Sequence, residues 1–247
     1  MSPKRDTEKD DVVILCGGMG TRLREETETK PKPMVEIGGK PILWHIMKYY
    51  AAYGFTRFIL ALGYKGAYIK DYFRDYNNEK QWEIACVDTG QKTLKGGRIK
   101  RLEPHIKSKN FHLTYGDGLG RVDLKRLANF HFSRKKIGTV TAVRPPSRFG
   151  ELLLKGNYVK EFEEKPQLTR GYINGGFFIF NKKLLEYLTP DENCDLEFGA
   201  LQKLASEGQL TAYKHDGYWQ CMDTARDMNY LNELWENGDP PWRIWNK

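Results

Sequence analysis

Gly17, Gly18 and Gly20 lie within four positions, Thr21 and Arg22 follow at once, and Lys30 and Lys32 come next, each before a proline. Glycine admits positive φ and leaves backbone N–H groups uncovered, and bare N–H groups suit phosphate or base oxygens. Proline fixes its own φ and presses the preceding residue toward an extended conformation, so Lys30 and Lys32 are expected on a stiff, extended segment. Bare backbone followed by fixed positive charge is suited to a polyanion. Neither common nucleotide loop fits: a dinucleotide fingerprint would need glycine at Leu23, and a P-loop would need Gly-Lys-Ser/Thr, which is absent.

Two carboxylates stand out. Asp117 lies between Gly116 and Gly118, either as a turn residue or as an acid with space cleared for a bulky ligand or metal. A hard cation such as Mg2+ takes one or two carboxylates and completes its shell with phosphate oxygens, so Asp117 needs a partner. Asp223 in "CMDTARD" is a candidate, with the N-cap of the last helix as its alternative role. Spacing alone does not show that the two meet. Glu164-Lys165-Pro166 repeats the lysine-before-proline device, Asn174 precedes Gly175-Gly176, and Arg98 follows Gly96-Gly97. Each of these also reads as a surface charge or a bulge. The five histidines are scattered and read as core or surface residues, and no Ser-His-Asp or Cys-His arrangement can be argued.

The elements that must position these residues alternate. Val12 to Cys16 is a short β-branched apolar run, a buried strand, and residues 40–55 carry apolar positions at helical spacing. Strands are expected at 57–64, 83–90, 110–118 and 138–143, with helices at 67–76, 98–105 and 124–136 between them. That alternation predicts a Rossmann-like α/β domain: a mostly parallel, mixed sheet with helices on both faces. After Val143 a hairpin turning at Gly156-Asn157 and a strand at 171–181 predict a small antiparallel insertion. Helices at 182–188 and 196–206, a strand at 210–215 and a final helix capped near Asp223 complete the chain. In such sheets ligands sit beyond the carboxyl ends of the strands, where the glycine loop and "YGDG" both fall.

Composition bounds the rest. With 247 residues and 40% hydrophobic content, one domain at 12–247 behind a polar tail at 1–11 is expected. The net charge of +8 suggests an anionic partner. The bases are interleaved with acids, and no RNA-binding aromatic motif or helix-turn-helix signature appears, so nucleic acid is not expected. Cys16, Cys86, Cys194 and Cys221 lack CxxC spacing and read as free thiols in a reducing cytoplasm. The start "MSPKRDTEKDD" has no apolar core, and no run approaches a membrane span, so a cytoplasmic protein without a membrane partner is expected.

"GGMGTRL…KPKPMVEIGGKPILWHIMKYY" resembles the opening of the sugar-nucleotide pyrophosphorylases, and the likeness continues through "VDTG…GGR", "TYGDG", "RFG", "EKP", "INGGFF", "YWQCMDT" and "LWENGDPPWRIW". Within that family, "EIGGKPILWHIMK" is most similar to members that use CTP and glucose 1-phosphate. The resemblance implies attack by a sugar 1-phosphate on the α-phosphorus of a nucleoside triphosphate, with Mg2+ as cofactor. It implies that the Leu15, Cys16, Gly17, Gly18, Met19 and Gly20 backbone holds base and ribose, with Thr21 and Arg22 on the β- and γ-phosphates. Lys32 would lie on the α-phosphate, Lys165 on the sugar phosphate, Glu164, Asn174 and Gly116 around the sugar, and Thr93 and Arg98 on the nucleotide. Asp117 and Asp223 would carry the metal, and Arg22, Lys32 and Lys165 the catalytic charge. A homo-oligomer is expected. The chain departs from the pattern in a shortened segment before "VDTG" and in Lys95 where a small polar residue is expected, which bears on acceptor choice and assembly. A nucleotide-sugar glycosyltransferase would show Asp-x-Asp rather than the single Asp117, and a non-catalytic sensor could lose Asp117, Asp223 or Lys165.

Overall fold

The first strand, β1 (Asp11–Leu15), is fully buried. Its side chains alternate: Val12 and Ile14 enter one core cluster, Val13 and Leu15 another, so β1 is covered on both faces. The computed structural model describes residues 10–18, 20–75, 79–145, 151–163 and 171–245. A four-residue helix α1 (Arg24–Thr27), the small ribbon β2 (Glu36–Ile37) and β3 (Lys40–Pro41), and α2 (Ile42–Ala51) follow. Then come β4 (Arg57–Leu62), α3 (Gly66–Asp75), β5 (Glu83–Asp88), α4 (Lys95–Arg101), β6 (Asn110–Tyr115) and β7 (Gly118–Gly120). The next group is α5 (Leu124–Arg134), β8 (Gly138–Val143), β9 (Glu151–Lys155), β10 (Tyr158–Glu163) and β11 (Ile173–Asn181). The last is α6 (Gln202–Ser206), β12 (Leu210–His215), β13 (Trp219–Cys221) and α7 (Ala225–Glu236).

Seven strands form one sheet in the order β12-β8-β11-β6-β1-β4-β5. β11 runs antiparallel to both its neighbours and the other pairings are parallel. The chain leaves β1 toward β4 and β5, then returns to place β6 on the other side of β1. The strand order therefore reverses at β1 and β6, and the crevice beyond their carboxyl ends is the place where open α/β sheets bind ligands. Because β11 is antiparallel, its first residues reach the same end. On one face α2, α3, α5 and α7 contribute Ile42, Ile69, Leu127 and Leu231 to the core; on the other, α4 and α6 contribute Ile99 and Leu204. The β9–β10 hairpin pairs outside the main sheet and turns at Gly156, which has φ +60°.

The expected mixed, mostly parallel sheet is present, and several boundaries are corrected. Asp11 belongs to β1 rather than to a polar tail: its buried carboxylate accepts hydrogen bonds from Lys107 N, Ser108 N and Ser108 Oγ and pairs with Arg57. The helix expected at 98–105 starts at Lys95 and ends at Arg101, so Gly96 and Gly97 are helical. A Cβ at Gly97 would lie 2.2 Å from the Asp191 carbonyl oxygen, so close helix packing explains the glycine pair. Residues 182–187 form 3-10 turns, and Leu196–Leu201 is a π-helical segment leading into α6. Lys32 opens a 3-10 turn over Lys32–Met34 instead of lying extended, because Pro31 supplies its entry conformation at φ −70° and ψ 151°. Among the described residues no helix is long and apolar enough to cross a membrane.

Two buried histidines give the fold an acid sensitivity. His112 on β6 packs its ring 4.6 Å from Phe55 and 5.6 Å from Tyr50, with neither ring nitrogen hydrogen-bonded. Burial pushes its pKa down to about 3, and burial likewise pushes that of His45 down to about 4. An unfolded histidine protonates near 6.5, so as pH falls below that value the unfolded chain takes up protons that the folded chain refuses. Stability is therefore present above pH 6.5 and declines toward pH 4, by about 1.4 kcal/mol per pH unit for each histidine. Urea unfolding at pH 7.5, 6 and 5 should show this slope, and His112→Leu should remove about half of it. An unchanged slope in that variant would assign the acid sensitivity elsewhere.

Candidate active site

The glycine loop leaves β1 and its three glycines have three different roles. Gly17 accommodates Arg98: a Cβ there would lie 2.3 Å from the guanidinium carbon. Gly18 faces open space, and Gly20 takes φ +64° and lets Lys32 approach, since a Cβ there would lie 2.9 Å from that of Lys32. Thr21–Leu23 then forms a 3-10 turn that carries Arg22 outward. Gly116, at the end of β6, donates its N–H to the Leu15 carbonyl at 3.1 Å and so locks the two loops together.

The two carboxylates meet through a ribbon that spacing did not reveal. β7 and β13 pair antiparallel, with Gly118 opposite Cys221. Met222 N donates to the Asp117 carbonyl at 2.8 Å, which sets Asp223 beside Asp117. Lys32 Nζ lies 2.6 Å from Asp117 Oδ2 and 2.6 Å from Asp223 Oδ1, and Arg22 Nη2 lies 3.0 Å from Asp223 Oδ1. Burial alone would lower the Lys32 pKa, but Asp117 and Asp223 outweigh it and hold it above the usual lysine value. Burial works against the Asp223 charge, yet Lys32 and then Arg22 hold that carboxyl below the usual range. The N-cap role is taken by Thr224, whose hydroxyl accepts from Asp227 N while Asp227 accepts from Thr224 N in a capping box, so the Asp223 side chain is left to the cleft.

Leu15, Cys16, Gly17, Gly18, Gly20, Arg22, Lys32, Thr93, Arg98, Gly116, Asp117, Asn174 and Asp223 line one cleft of about 610 Å³. Met19, Glu164 and Lys165 lie outside the described residues. Lys30 is away from this group and pairs with Glu26 at 3.4 Å. Arg98 lines the cleft, but its guanidinium is engaged by protein: Nη1 donates to the Leu62 and Gly90 carbonyls and Thr89 Oγ1, and Nη2 donates to the Gly17 and Gln91 carbonyls. Burial, then the Arg101 charge, lowers its pKa. Its charge is spent on loop carbonyls, an arrangement that a basic residue after two glycines does not disclose. Thr93 Oγ1 accepts from Arg101 at 2.8 Å.

Sequence reasoning missed Tyr115, Trp219, Cys221 and Glu197. Tyr115 precedes Gly116 in the quoted "TYGDG", and Trp219, whose Nε1 donates to the Gly175 carbonyl at 2.7 Å, sits in "YWQCMDT", so both were within recognised motifs. Glu197 had no signal. Cys221 lines the cleft, but burial, followed by the nearby Asp223 charge, pushes its thiol up to about 12, so it stays protonated and is no nucleophile.

A glycine loop at the strand switch point, an adjacent lysine and a convergent acid pair define a site for handling phosphates. The nucleotidyl transferase family model matches residues 11–235, and the chain belongs to that family. It is 44% identical to glucose-1-phosphate cytidylyltransferase of Salmonella typhimurium, over 94% of this chain and 98% of that protein, and 41% identical to a probable glucose-1-phosphate cytidylyltransferase of Bacillus subtilis, over 94% and 99%. The first alignment runs over 254 positions, more than the 247 residues here, so that relative carries residues this chain lacks. HddC from Yersinia pseudotuberculosis, solved with GMP-PN, superposes with a TM-score of 0.69 at 28% identity, over 92% of this chain and 99% of that one.

The Arg98 geometry predicts a structural role. Lysine has no planar fork to reach the same carbonyls, so Arg98→Lys should lose about 2 kcal/mol or more of stability. A chemical-unfolding midpoint measures this. An unchanged midpoint combined with a raised nucleotide KM would instead make Arg98 a ligand-binding residue.

Proposed function

We propose that this protein transfers the cytidylyl group of CTP to glucose 1-phosphate, giving CDP-glucose and pyrophosphate. The observation that carries the proposal is Lys32 set between Asp117 and Asp223 beside the glycine loop. A phosphate oxygen of the sugar phosphate attacks the α-phosphorus, a P–O bond forms, and the bond to the bridging oxygen breaks, its electron pair leaving with pyrophosphate. No covalent enzyme intermediate is needed, in keeping with the protonated Cys221. Catalysis is then mostly positioning and charge neutralisation at phosphorus.

An ammonium has three N–H donors. Two of those on Lys32 go to the carboxylates, leaving one for an α-phosphate oxygen. Arg22, mostly exposed at the rim, and Thr21 would meet the outer phosphates of CTP. The backbone from Leu15 to Gly20 would hold base and ribose, with Thr93 on the nucleotide. Gly116, Glu164, Lys165 and Asn174 would hold the sugar phosphate. The reading of Arg98 as a direct nucleotide ligand becomes one in which it fixes the loop the nucleotide lies on.

The acid pair suits Mg2+. Lys32 takes Asp117 Oδ2 and Asp223 Oδ1, which leaves the other oxygen of each carboxylate for a cation, and no group of three or more His, Cys, Asp or Glu able to hold a metal occurs among the described residues. Two hard oxygen donors with substrate phosphates completing the shell is a magnesium arrangement. Asp117 and Asp223 would hold the ion, which would supply neutralisation of the triphosphate charge. We further propose a cytoplasmic location and a homo-oligomer as the working form.

Incubating the protein with each of CTP, UTP, dTTP, ATP and GTP against a panel of sugar 1-phosphates should release pyrophosphate most efficiently with CTP and glucose 1-phosphate. Release with none of the pairs would defeat the enzyme reading, and a tenfold preference for another base would remove only its cytidylyl part. Asp117→Asn and Asp223→Asn should fold and turn over at least about a hundredfold more slowly. Near-normal turnover in folded Asp117→Asn would place the metal elsewhere.

A further inference from the structure

One wall of the cleft holds a hydrogen-bond chain of which the proposed chemistry uses only Asn174. Glu197, in the π-helical segment Leu196–Leu201, presents Oε1 to two donors, Lys95 Nζ and Tyr115 Oη, the latter at 2.6 Å. Tyr115 Oη in turn accepts from Asn174 Nδ2 at 3.0 Å, and Asn174 Oδ1 accepts from Gly176 N at 2.9 Å. Lys95, Tyr115, Asn174 and Gly176 all line the cleft. Gly176 has φ +74°, and a Cβ there would lie 2.8 Å from the Tyr115 ring, so the glycine is what lets the ring lie against β11.

The charge on Glu197 gives this chain a direction. A carboxylate only accepts, so Tyr115 must spend its single proton on Glu197. Its oxygen then offers only lone pairs to Asn174, which must turn its NH2 toward Tyr115 and its carbonyl toward the Gly176 N–H. One amide hydrogen remains for a ligand, so Asn174 can meet it as a donor through Nδ2, while Gly176 N–H takes one of the two acceptor sites on its carbonyl oxygen. Lys95, whose Nζ also lies 5.0 Å from the centre of the Tyr115 ring, keeps a cation beside Glu197.

We propose that Glu197, through Tyr115, is a positioning residue that fixes Asn174 as a hydrogen-bond donor to a sugar hydroxyl oxygen and so helps to set which sugar 1-phosphates are accepted. The proposal rests on the reading of Asn174 as a sugar-facing residue. A neutral glutamine at 197 can donate as well as accept, which frees the Tyr115 hydroxyl to turn and weakens its hold on the Asn174 NH2, leaving Gly176 N–H as the remaining anchor of that amide. Phenylalanine at 115 removes the link and keeps the ring.

The test is steady-state kinetics with glucose 1-phosphate varied at saturating CTP, repeated with galactose 1-phosphate and mannose 1-phosphate, for Glu197→Gln, Tyr115→Phe, the double variant and Asn174→Ala. Unfolding midpoints of all four are measured alongside. Glu197→Gln and Tyr115→Phe should each raise the glucose 1-phosphate KM by about tenfold, the size of one lost hydrogen bond, and leave the CTP KM within about twofold. The preference for glucose 1-phosphate should narrow in both. The double variant should be no worse than the worse single one, because both changes cut the same chain. Additive effects, or a lowered midpoint with KM and sugar preference unchanged, would overturn the proposal. So would an unchanged KM in both single variants while Asn174→Ala raises it. If Asn174→Ala itself leaves that KM alone, the sugar-facing assignment of Asn174 is what fails, and the proposal goes with it.

Discussion

The Lys32 ammonium between Asp117 and Asp223 is the interaction on which the cleft depends. Two carboxylates brought this close repel unless a cation lies between them, and partial burial makes an unpaired charge costly. The chain supplies that cation itself, so the acid pair is held in place before any ligand arrives. The lysine reaches it by passing Gly20, on a turn whose entry is set by Pro31. Three segments far apart in sequence are thereby joined at one nitrogen: the turn after the glycine loop, the end of β6 and the start of α7.

Arg98 secures the other side of the same loop by different means. It is a buried cation whose hydrogen bonds run to carbonyl oxygens and one hydroxyl, and the glycines at 17 and 63 make room for it. A planar fork suits a fixed array of acceptors, whereas a single ammonium suits a position where one donor faces a ligand. The glycine loop lies between these two basic residues, one fixing its backbone and the other facing the space it encloses.

Much of this was legible in the sequence. The β-branched run of β1, the alternation that gives a mostly parallel sheet and the Gly156-Asn157 hairpin follow from local periodicity and turn chemistry, which act over a few residues. Lys32, Asp117 and Asp223 were recognisable by type and setting. Their meeting was not, because it depends on β7 pairing with β13 across about a hundred residues, and three-residue strands carry almost no pattern. The packing of Arg98 was not legible because a loop rich in glycine and lysine looks solvated, whereas its helix starts at Lys95 and packs against the Asp191 to Asp195 segment. Glu197 was invisible because its importance comes from a π-helical turn that aims it at Tyr115 and Lys95.

The β7–β13 ribbon also has a consequence for how the protein comes into being. Asp117 is made about a hundred residues before β13, the strand that brings Asp223 to it and that ends at Cys221. During synthesis, the sheet from β1 to β6 can assemble while the second carboxylate has not yet left the ribosome, since chains fold from their N-terminal side as they emerge. A polypeptide cut short between β7 and β13 keeps the glycine loop, Lys32 and Asp117 but lacks the second acid of the pair. Such fragments would lack the paired acids, and the complete centre arises only once β13 and Asp223 have been made.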